Sequence, residues 1–259
     1  MPGLRVIERA TCAVLVFVSS AGRFAPAQQG PSRATKVPYA QKLTYRIEWR
    51  FVTGGMADLQ FQRSGANNWE IDLDVQSVGV VTRLYRVVDK YKVVSNEKFC
   101  PANAFLDAQE GKRHSITRLT FNENAHTVDY DEHDAIKNTS ATKRLQVAPC
   151  TREIAGALAA LGEINLPAGS STTVPITDGK RMVFAKVEAQ ARESINVNGK
   201  NYPVTRYEAF LFDNVLYKRK GRLFIWITDD ADRLPVQFKI QLGFPIGNIS
   251  LELEKQQKL

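Results

Sequence analysis

Apolar and polar residues alternate along most of the chain after residue 38, which is the pattern of strands with one buried face. Between residues 42 and 49, for example, the apolar residues Leu43, Tyr45 and Ile47 alternate with charged and polar ones. We predict further strands at 56–63, 69–75, 87–95, 103–110, 114–121, 125–132, 143–147, 171–177, 181–195, 202–213, 215–228, 234–242 and 246–254. The first three form an antiparallel meander, with the first turn expected at Gly54-Gly55.

Helical periodicity is clear in one segment, residues 151–161. Ile154, Leu158 and Leu161 recur at the spacing of a helix face, Thr151 is a suitable N-cap, and Gly162 is a suitable end. Residues 79–85 are expected to form only a short helical turn.

About a dozen strands and one short α-helix near 151–161 place the chain in the mainly-β class. A sheet of this width has to curl, close or split into two layers to hide its edges and its apolar face. We expect a large curved antiparallel sheet, an open or half barrel, with two packed sheets as the alternative. Residues 39–256 are predicted to form a single all-β domain, preceded by a flexible tether at 28–38 that is rich in Gln, Gly, Pro and Ser.

The N-terminal 27 residues have the order of charges and apolar residues found in secretory signal peptides. Arg5 and Arg9 precede an apolar run at 10–21, and Ala25-Pro26-Ala27 provides small residues for cleavage near Ala27-Gln28. The run is shorter than the roughly 20 residues that cross a bilayer, so no integral membrane span is expected. The predicted location is the periplasm or the exterior; a buried N-terminal helix is the alternative.

Two cysteines, Cys100 and Cys150, remain after this cleavage. An even number of cysteines in an oxidising compartment predicts a disulfide, and no C-x-x-C motif is present. Two separate thiols or a redox site are the alternatives.

The chain is basic, with a formal net charge of +8. Export makes anionic lipid headgroups or cell-wall polymers more suitable counterparts than nucleic acid, although the charges are well mixed. The densest basic patch, Lys218, Arg219, Lys220 and Arg222, is predicted to be a hairpin tip that contacts a membrane surface. A solvated turn without a partner is the alternative.

Motifs for catalysis or metal binding are not apparent in the sequence. There is no G-x-S-x-G, H-E-x-x-H, P-loop or dinucleotide-binding fingerprint. The carboxylates of Asp229, Asp230 and Asp232 lie between two apolar segments and predict a hairpin turn rather than a calcium loop. We expect a protein that is not an enzyme and has no metal or cofactor.

Aromatic residues are frequent on the predicted strands of the second half. A curved sheet that presents such a face either packs it into a core or leaves a cavity for an apolar ligand. The ligand-binding residues predicted on this basis are Phe210, Phe212, Phe224, Trp226 and Phe238.

Several segments are similar to a known family. They are Lys42–Ile47 followed by Gly55-Met56-Ala57, then Leu84–Asp89, Asp178-Gly179-Lys180, and Leu223–Asp230 continuing into Arg233–Val236. Over about residues 39–254 the chain resembles the bacterial exported family known as domain of unknown function 3108. This resemblance implies a fold and provides no catalytic residues.

Together these patterns predict an exported soluble envelope protein that binds or carries an apolar or amphipathic envelope component in a curved β-sheet. Its partner would be a lipid or glycolipid. The alternative is an envelope scaffolding module that contacts another envelope protein and holds no small ligand.

Overall fold

A computed structural model describes residues 40–65 and 67–259. These residues form one sheet of fourteen antiparallel strands. The predicted signal peptide and tether lie outside the described residues. The mainly-β class and the open, curved sheet predicted from the alternation of residues are confirmed.

The first eight strands follow one another in sequence and in space. Each pairs with the next, and a short helix, α1 (Gly79–Leu84), lies between the third and fourth. The strands are β1 Gln41–Trp49, β2 Val52–Arg63, β3 Asn68–Ser77, β4 Val87–Asn96, β5 Pro101–Glu110, β6 Arg113–Asn122, β7 Thr127–Asp134 and β8 Thr139–Gln146.

The last six strands form the other half of the sheet, and the last of them pairs with β1. They are β9 Ser171–Thr177, β10 Met182–Val197, β11 Lys200–Ala209, β12 Gly221–Thr228, β13 Pro235–Leu242 and β14 Asn248–Lys258. The connection from β8 to β9 contains helix α2 (Ile154–Ala160) and a 3-10 turn at Leu161–Glu163. Neither helix of the described chain has the length and apolar character needed to cross a membrane.

The two edge strands of the sheet, β8 and β9, are neighbours in sequence but lie at opposite ends of the strand order. The turn after β9 nevertheless packs against the first half, because a Cβ on Gly179 would lie 2.3 Å from Cδ2 of Tyr130 on β7. Lys180 in the same turn pairs with Glu132, with Nζ and Oε2 2.6 Å apart. The sheet therefore curls until its ends touch, without closing through backbone hydrogen bonds.

Apolar side chains form rows across the concave face. Ile71, Val93, Ala104, Leu119 and Tyr130 are paired neighbours on five successive strands, and all are buried. The second half continues the core with the row Phe238, Ile225, Tyr207 and Ala189. Burying such rows is the main source of stability in this fold.

The β8–β9 connection is fixed to both halves of the sheet. Cys150 forms the predicted disulfide with Cys100, which precedes β5. Two residues later, the N–H of Arg152 donates to the carbonyl of Pro175, and Arg152 accepts from the N–H of Thr177, at 3.1 and 2.8 Å. The connection is thus held between the start of β5 and the outer edge of β9.

The first predicted turn, at Gly54-Gly55, is wrong. The chain turns at residues 50–51, and both glycines lie inside β2. A Cβ on Gly55 would approach the carbonyl oxygen of Gln76 on β3 to 2.6 Å. This glycine therefore permits a close approach of two strand backbones and does not mark a turn.

The predicted strands 202–213 and 215–228 are too long. β11 ends at Ala209 and β12 begins at Gly221, which leaves 210–220 as a connection. Leu211 and Leu216 in this connection are buried in the core. These buried side chains anchor the loop to the core. The alternation of apolar and polar residues does not distinguish such a loop from a strand.

The predicted N-cap of the helix, Thr151, is also wrong. The carboxylate of Glu153 caps α2, accepting the N–H groups of Ala155 and Gly156. The hydroxyl of Thr151 instead donates to the carbonyl of Ala148 at 2.7 Å, within the turn that contains Cys150. The predicted end at residue 161 is one residue late, since α2 stops at Ala160, and Gly162 lies in the 3-10 turn.

Gly179→Ala is expected to lower the free energy of unfolding by about 3 kcal/mol or more, since it combines strain at positive φ with a steric clash. The φ of Gly179 is +84°, and the added methyl group would also meet Cδ2 of Leu119 at 2.6 Å. Gly199→Ala is the matched control, because Gly199 has a φ of +78° and no neighbour within 4 Å among the described residues. It should cost only about 1 kcal/mol in urea unfolding. Equal losses for the two variants would contradict the packing of this turn against β6 and β7.

Replacement of both Cys100 and Cys150 by serine is expected to lower the unfolding free energy by roughly 4 kcal/mol. The physical reason is the added conformational entropy of the unfolded chain, since the bond closes a segment with a sequence separation of 50 residues. Urea unfolding of the oxidised protein and of the double variant measures the difference. A reducing agent should destabilise the wild type to the level of the double variant and leave that variant unchanged.

Candidate functional site

Helix α2 stands inside the curved sheet and separates two cavities. We call the first cavity A; it lies between α2 and strands β9 to β12 and has a volume of about 300 Å³. Its walls are mainly aliphatic and include Ala157, Leu161, Ile176, Val187, Leu211 and Ile225. Such a space favours an apolar occupant.

Two charged side chains also line cavity A, Arg152 and Glu163. The guanidinium of Arg152 is held in place, since Nε donates to the carbonyl of Phe99 at 3.0 Å and Nη2 to that of Lys98 at 2.7 Å. Burial lowers the pKa of Arg152 and raises that of Glu163, while the attraction between their charges opposes both shifts. Cavity A therefore combines an apolar wall with one pair of opposite charges.

Cavity B lies on the other side of α2, against β1, β2 and β3, and also has a volume of about 300 Å³. Its apolar wall includes Phe61, Trp69 and Phe99. At its edge, the guanidinium of Arg63 stacks over the ring of Trp69 at 4.3 Å and pairs with Glu97 at 3.2 Å. Cavity B is more polar than cavity A.

A buried arginine, Arg233, forms part of the wall of cavity B. Its guanidinium donates to the hydroxyl of Tyr207 at 2.9 Å and to the carbonyls of Ile164 and Thr228. Its Nε has no hydrogen-bond partner among the described residues. These bonds connect the β12–β13 turn to the 3-10 turn and fix one side of the cavity.

The helix forms a thin partition between the two cavities. Leu158 and Glu163 line both of them, whereas Ala157 faces only cavity A and Ala159 only cavity B. Two alanines on one helix, both half-buried, therefore point to different spaces.

A third cavity, cavity C, has a volume of about 130 Å³ and lies at the start of α2. Tyr91, Leu119, Glu153 and Tyr217 are among the residues that line it. Burial raises the pKa of Glu153 to about 7, against the opposing effect of its hydrogen bonds from the helix backbone. Burial likewise raises the pKa of Tyr217 to about 12 and that of Tyr91 still further.

The sequence family described as "Protein of unknown function (DUF3108)" matches residues 44–254. The chain belongs to this family. No curated protein matches it.

Two solved structures resemble the DUF3108 domain. The crystal structure of the beta-barrel-like protein of domain of unknown function DUF1849 from Brucella abortus has a TM-score of 0.56, covering 86% of this chain and 98% of that one at 8% identity. The hypothetical protein CT021 from Chlamydia trachomatis has a TM-score of 0.34, with 85% and 87% covered at 9% identity. At this identity the first likeness supports the fold alone.

The DUF3108 domain does not bring the five predicted ligand-binding aromatic residues together on one surface. Phe210 and Phe212 lie in the 210–220 connection, not on strands. Phe238 faces the core, where its ring packs edge-on against Tyr45 with the centroids 5.6 Å apart. Phe224 and Trp226 lie on the other face of the sheet, because Phe238 pairs with Ile225 between them.

Phe224 and Trp226 are covered by charged side chains on that outer face. The guanidinium of Arg222 lies 4.6 Å from the ring of Phe224, and Nε1 of Trp226 donates to Glu193 at 2.8 Å. The expectation of a single aromatic face is therefore wrong, and none of the five residues lines cavity A or B. A role in binding stays a prediction for each of them.

The predicted basic hairpin tip of the DUF3108 domain is divided. Lys218, Arg219 and Lys220 are exposed in the 210–220 connection. Arg222 lies on β12 and pairs with Glu208 on β11, with Nε and Oε1 2.7 Å apart. Arg222 is thus part of the outer face, and contact of this patch with a membrane stays a prediction.

The predicted hairpin turn at residues 229–232 is confirmed. A carboxylate oxygen of Asp230 accepts the N–H groups of Asp232 and Arg233 at 3.1 and 3.2 Å. It also accepts the hydroxyl of Thr228 at 2.7 Å, so this carboxylate organises the turn.

The residues that line cavity A were not identified as site residues from the sequence. They are ordinary aliphatic side chains on alternating strands, and such residues usually fill a core. The only signal was the helical spacing of Ile154, Leu158 and Leu161, which predicted α2 but not the space beside it.

The stability of the DUF3108 domain is expected to fall as the pH rises from about 4.5 to 7, by up to about 3 kcal/mol from Glu153 alone. In this range the folded state retains a proton that the unfolded chain has released, because burial raises the pKa of this carboxyl from 4.5 to about 7. Burial also raises the pKa of Asp89 to about 6 and acts in the same direction. Urea unfolding at pH 5, 6, 7 and 8 measures the slope.

Glu153→Gln should flatten this pH dependence while keeping an oxygen that can cap α2. Glu123→Gln makes the same chemical change at an exposed position and should leave the slope unchanged. A slope that is identical in the wild type and in the Glu153→Gln variant would exclude Glu153 as its source.

Proposed function

We propose that this protein is a non-catalytic binding protein of the bacterial cell envelope, periplasmic or secreted, which holds an amphipathic molecule inside its curved sheet. The observation that carries the proposal is cavity A, an aliphatic space of about 300 Å³ between α2 and β9 to β12. Small-molecule sites have volumes of roughly 300–1,000 Å³ and mostly apolar walls. Cavity A meets both conditions.

The charged pair in cavity A favours an amphipathic ligand over a purely apolar one. Burial disfavours the charged forms of Arg152 and Glu163, so polar partners on a ligand would compensate for lost hydration. An apolar chain would occupy the aliphatic part of the cavity, and the polar group would lie beside Arg152 and Glu163. A lipid or a glycolipid has this combination of parts.

The disulfide supports an oxidising compartment. Cys100 and Cys150 are joined in the folded chain, and such bonds persist mainly in exported proteins. The signal-peptide pattern of the first 27 residues agrees with this location. In that compartment, amphipathic components of the cell envelope are accessible as ligands.

Filling cavity A should abolish ligand binding. Ala157→Phe places an aromatic ring in cavity A, and we expect it to weaken binding of the fluorescent fatty acid cis-parinaric acid by about tenfold or more. Fluorescence titration of the protein purified after periplasmic expression of the full chain measures the affinity. Organic extraction and native mass spectrometry of the same preparation identify any co-purifying lipid, which should be lost in this variant.

Ala159→Phe is the matched control, because Ala159 lies on the same helix and faces cavity B. It should change the affinity by less than about twofold. Thermal unfolding of both variants verifies that each is folded. A wild-type protein with no saturable probe binding and no co-purifying lipid would overturn the proposal, as would unchanged binding by the Ala157→Phe variant.

A second candidate is the scaffolding module without a small ligand, and one observation favours it. The edge strand β8 is exposed at seven of its eight positions and has a neighbour only on its β7 side within the described sheet. An edge of this kind can accept a strand from a partner protein. A defined protein crosslinked through Ser140 of β8, together with a ligand-free preparation, would support this alternative.

A further inference from the structure

The connections at the two ends of the strands differ strongly in charge. One end, which we call the basic rim, consists of the connections 50–51, 78–86, 111–112, 135–138, 210–220 and 243–247. These segments contain one carboxylate, that of Asp213. They contain eight basic residues: Arg50, Arg83, Arg86, Lys112, Lys137, Lys218, Arg219 and Lys220. The turn after β9 is left out because it folds onto Tyr130 and Leu119.

The connections at the opposite end of the sheet are acidic. The segments 97–100, 123–126, 147–170 and 229–234 contain three basic residues, Lys98, Arg152 and Arg233. Apart from Glu153, which is buried in cavity C, they contain six carboxylates: Glu97, Glu123, Glu163, Asp229, Asp230 and Asp232. The molecule therefore has a strong charge asymmetry along its strands, which orients it in an external field.

Exposed apolar side chains are concentrated at the basic rim. Among the described residues, the large apolar side chains that are exposed lie in the connections at this end of the strands or within three residues of such a connection. Leu259 is the one exception among them. Phe51 and Phe244 have relative exposures of 102% and 97%. Apolar groups gathered at one end among basic residues are typical of an interaction surface.

Phe51 and Phe244 occupy neighbouring turns. β1 pairs with β14, so the β1–β2 turn lies beside the β13–β14 turn. Nε1 of Trp49 donates to the carbonyl of Ile246 at 2.8 Å, and the guanidinium of Arg50 donates to the carbonyl of Pro245. The two phenylalanines therefore project from a pair of turns that are joined to each other.

Helix α1 continues this surface on the other side of the β1–β2 turn. Gly54 of β2 lies against Val81 of α1, since a Cβ on the glycine would be 3.5 Å from Cγ2 of the valine. Val80 and Leu84 of the same helix have exposures of 56% and 70%. Arg83 and Arg86 are exposed beside them, so apolar and basic side chains alternate along the surface.

The backbone of the β1–β2 turn indicates that Phe51 does not serve folding. Arg50 and Phe51 have φ values of 50° and 67°, in the left-handed region that favours glycine. The ring of Phe51 is fully exposed, so its burial does not compensate for this strain. A two-residue hairpin turn has positive φ at both central residues, where glycine or asparagine would be less strained, so the fold does not require an exposed aromatic side chain here.

We propose that the basic rim docks on a bilayer surface with anionic headgroups, with Phe51 and Phe244 inserted at the interface. The rim consists of loops and one short helix with cations between apolar tips, and this arrangement complements a surface of negative headgroups over an apolar interior. The acidic end faces away from the bilayer. This inference goes beyond ligand binding in cavity A and does not depend on it.

The test is flotation of the purified protein with vesicles of phosphatidylethanolamine and phosphatidylglycerol, and with vesicles of phosphatidylcholine alone. We expect binding to the anionic vesicles to be at least about tenfold tighter and to weaken at high salt. The Phe51→Gly/Phe244→Ser variant should lose binding by about tenfold or more. The Lys218→Glu/Lys220→Glu variant should lose binding to the anionic vesicles specifically.

Matched controls lie at the opposite end of the sheet. Leu259→Ser removes an exposed apolar side chain there, and Lys98→Glu reverses an exposed charge there; both should bind as the wild type does. Phe51→Gly alone should raise the thermal midpoint, since glycine adopts this φ without strain. Weaker vesicle binding by this single variant, measured together with its raised thermal midpoint, cannot result from misfolding.

Equal binding to both kinds of vesicle, or unchanged binding by the Phe51→Gly/Phe244→Ser variant, would overturn the proposal. Absence of vesicle binding together with a single protein photo-crosslinked at position 51 would also overturn it, since the rim would then be a protein interface. The probe titration of cavity A is read separately, so failure of membrane docking and failure of ligand binding are distinguishable.

Discussion

The structure depends on how the concave face of an unclosed sheet is covered. β8 and β9 form opposite edges of the sheet and are adjacent in sequence, and the chain between them passes through the concavity, where α2 lies. The disulfide of Cys150 and the backbone bonds of Arg152 fix this passage to the first and second halves of the sheet. One segment therefore covers the apolar face and joins the two edges, and the positions of cavities A, B and C follow from it.

The cavities arise because the covering helix is small. In α2, Ile-Ala-Gly-Ala-Leu-Ala-Ala, Leu158 is the only large side chain after the first residue. Such a helix cannot fill the space enclosed by fourteen strands, and the unfilled volume remains on its two sides. The carboxyl of Glu153 caps this helix inside the sheet, where burial raises its pKa to about 7, so the cap costs hydration.

Strand positions and turns with strong local signals were predictable from the sequence. Alternation at Leu43, Tyr45 and Ile47 located β1, and the carboxylate of Asp230 forms the predicted turn. The face of each aromatic residue was not predictable, because alternation separates Phe224 from Ile225 but does not tell which of them points inward. The predictions for Gly55 and Leu211 were wrong for a related reason. Gly55 permits two strands to approach closely and Leu211 anchors a loop, and both roles depend on partners distant in sequence.

The way in which the sheet ends meet has a mechanical consequence. Within the described chain no backbone hydrogen bond joins β8 to β9; the contacts there are those of Gly179 with Tyr130, of Lys180 with Glu132, and of Lys143 with the carbonyl of Lys180. Separating the two edges would leave every strand ladder intact. It would still have to break the backbone bonds of Arg152 with Pro175 and Thr177, since the disulfide of Cys150 holds the same segment to the first half of the sheet. The connection that covers the concave face therefore also limits how far the two edges of the sheet can separate.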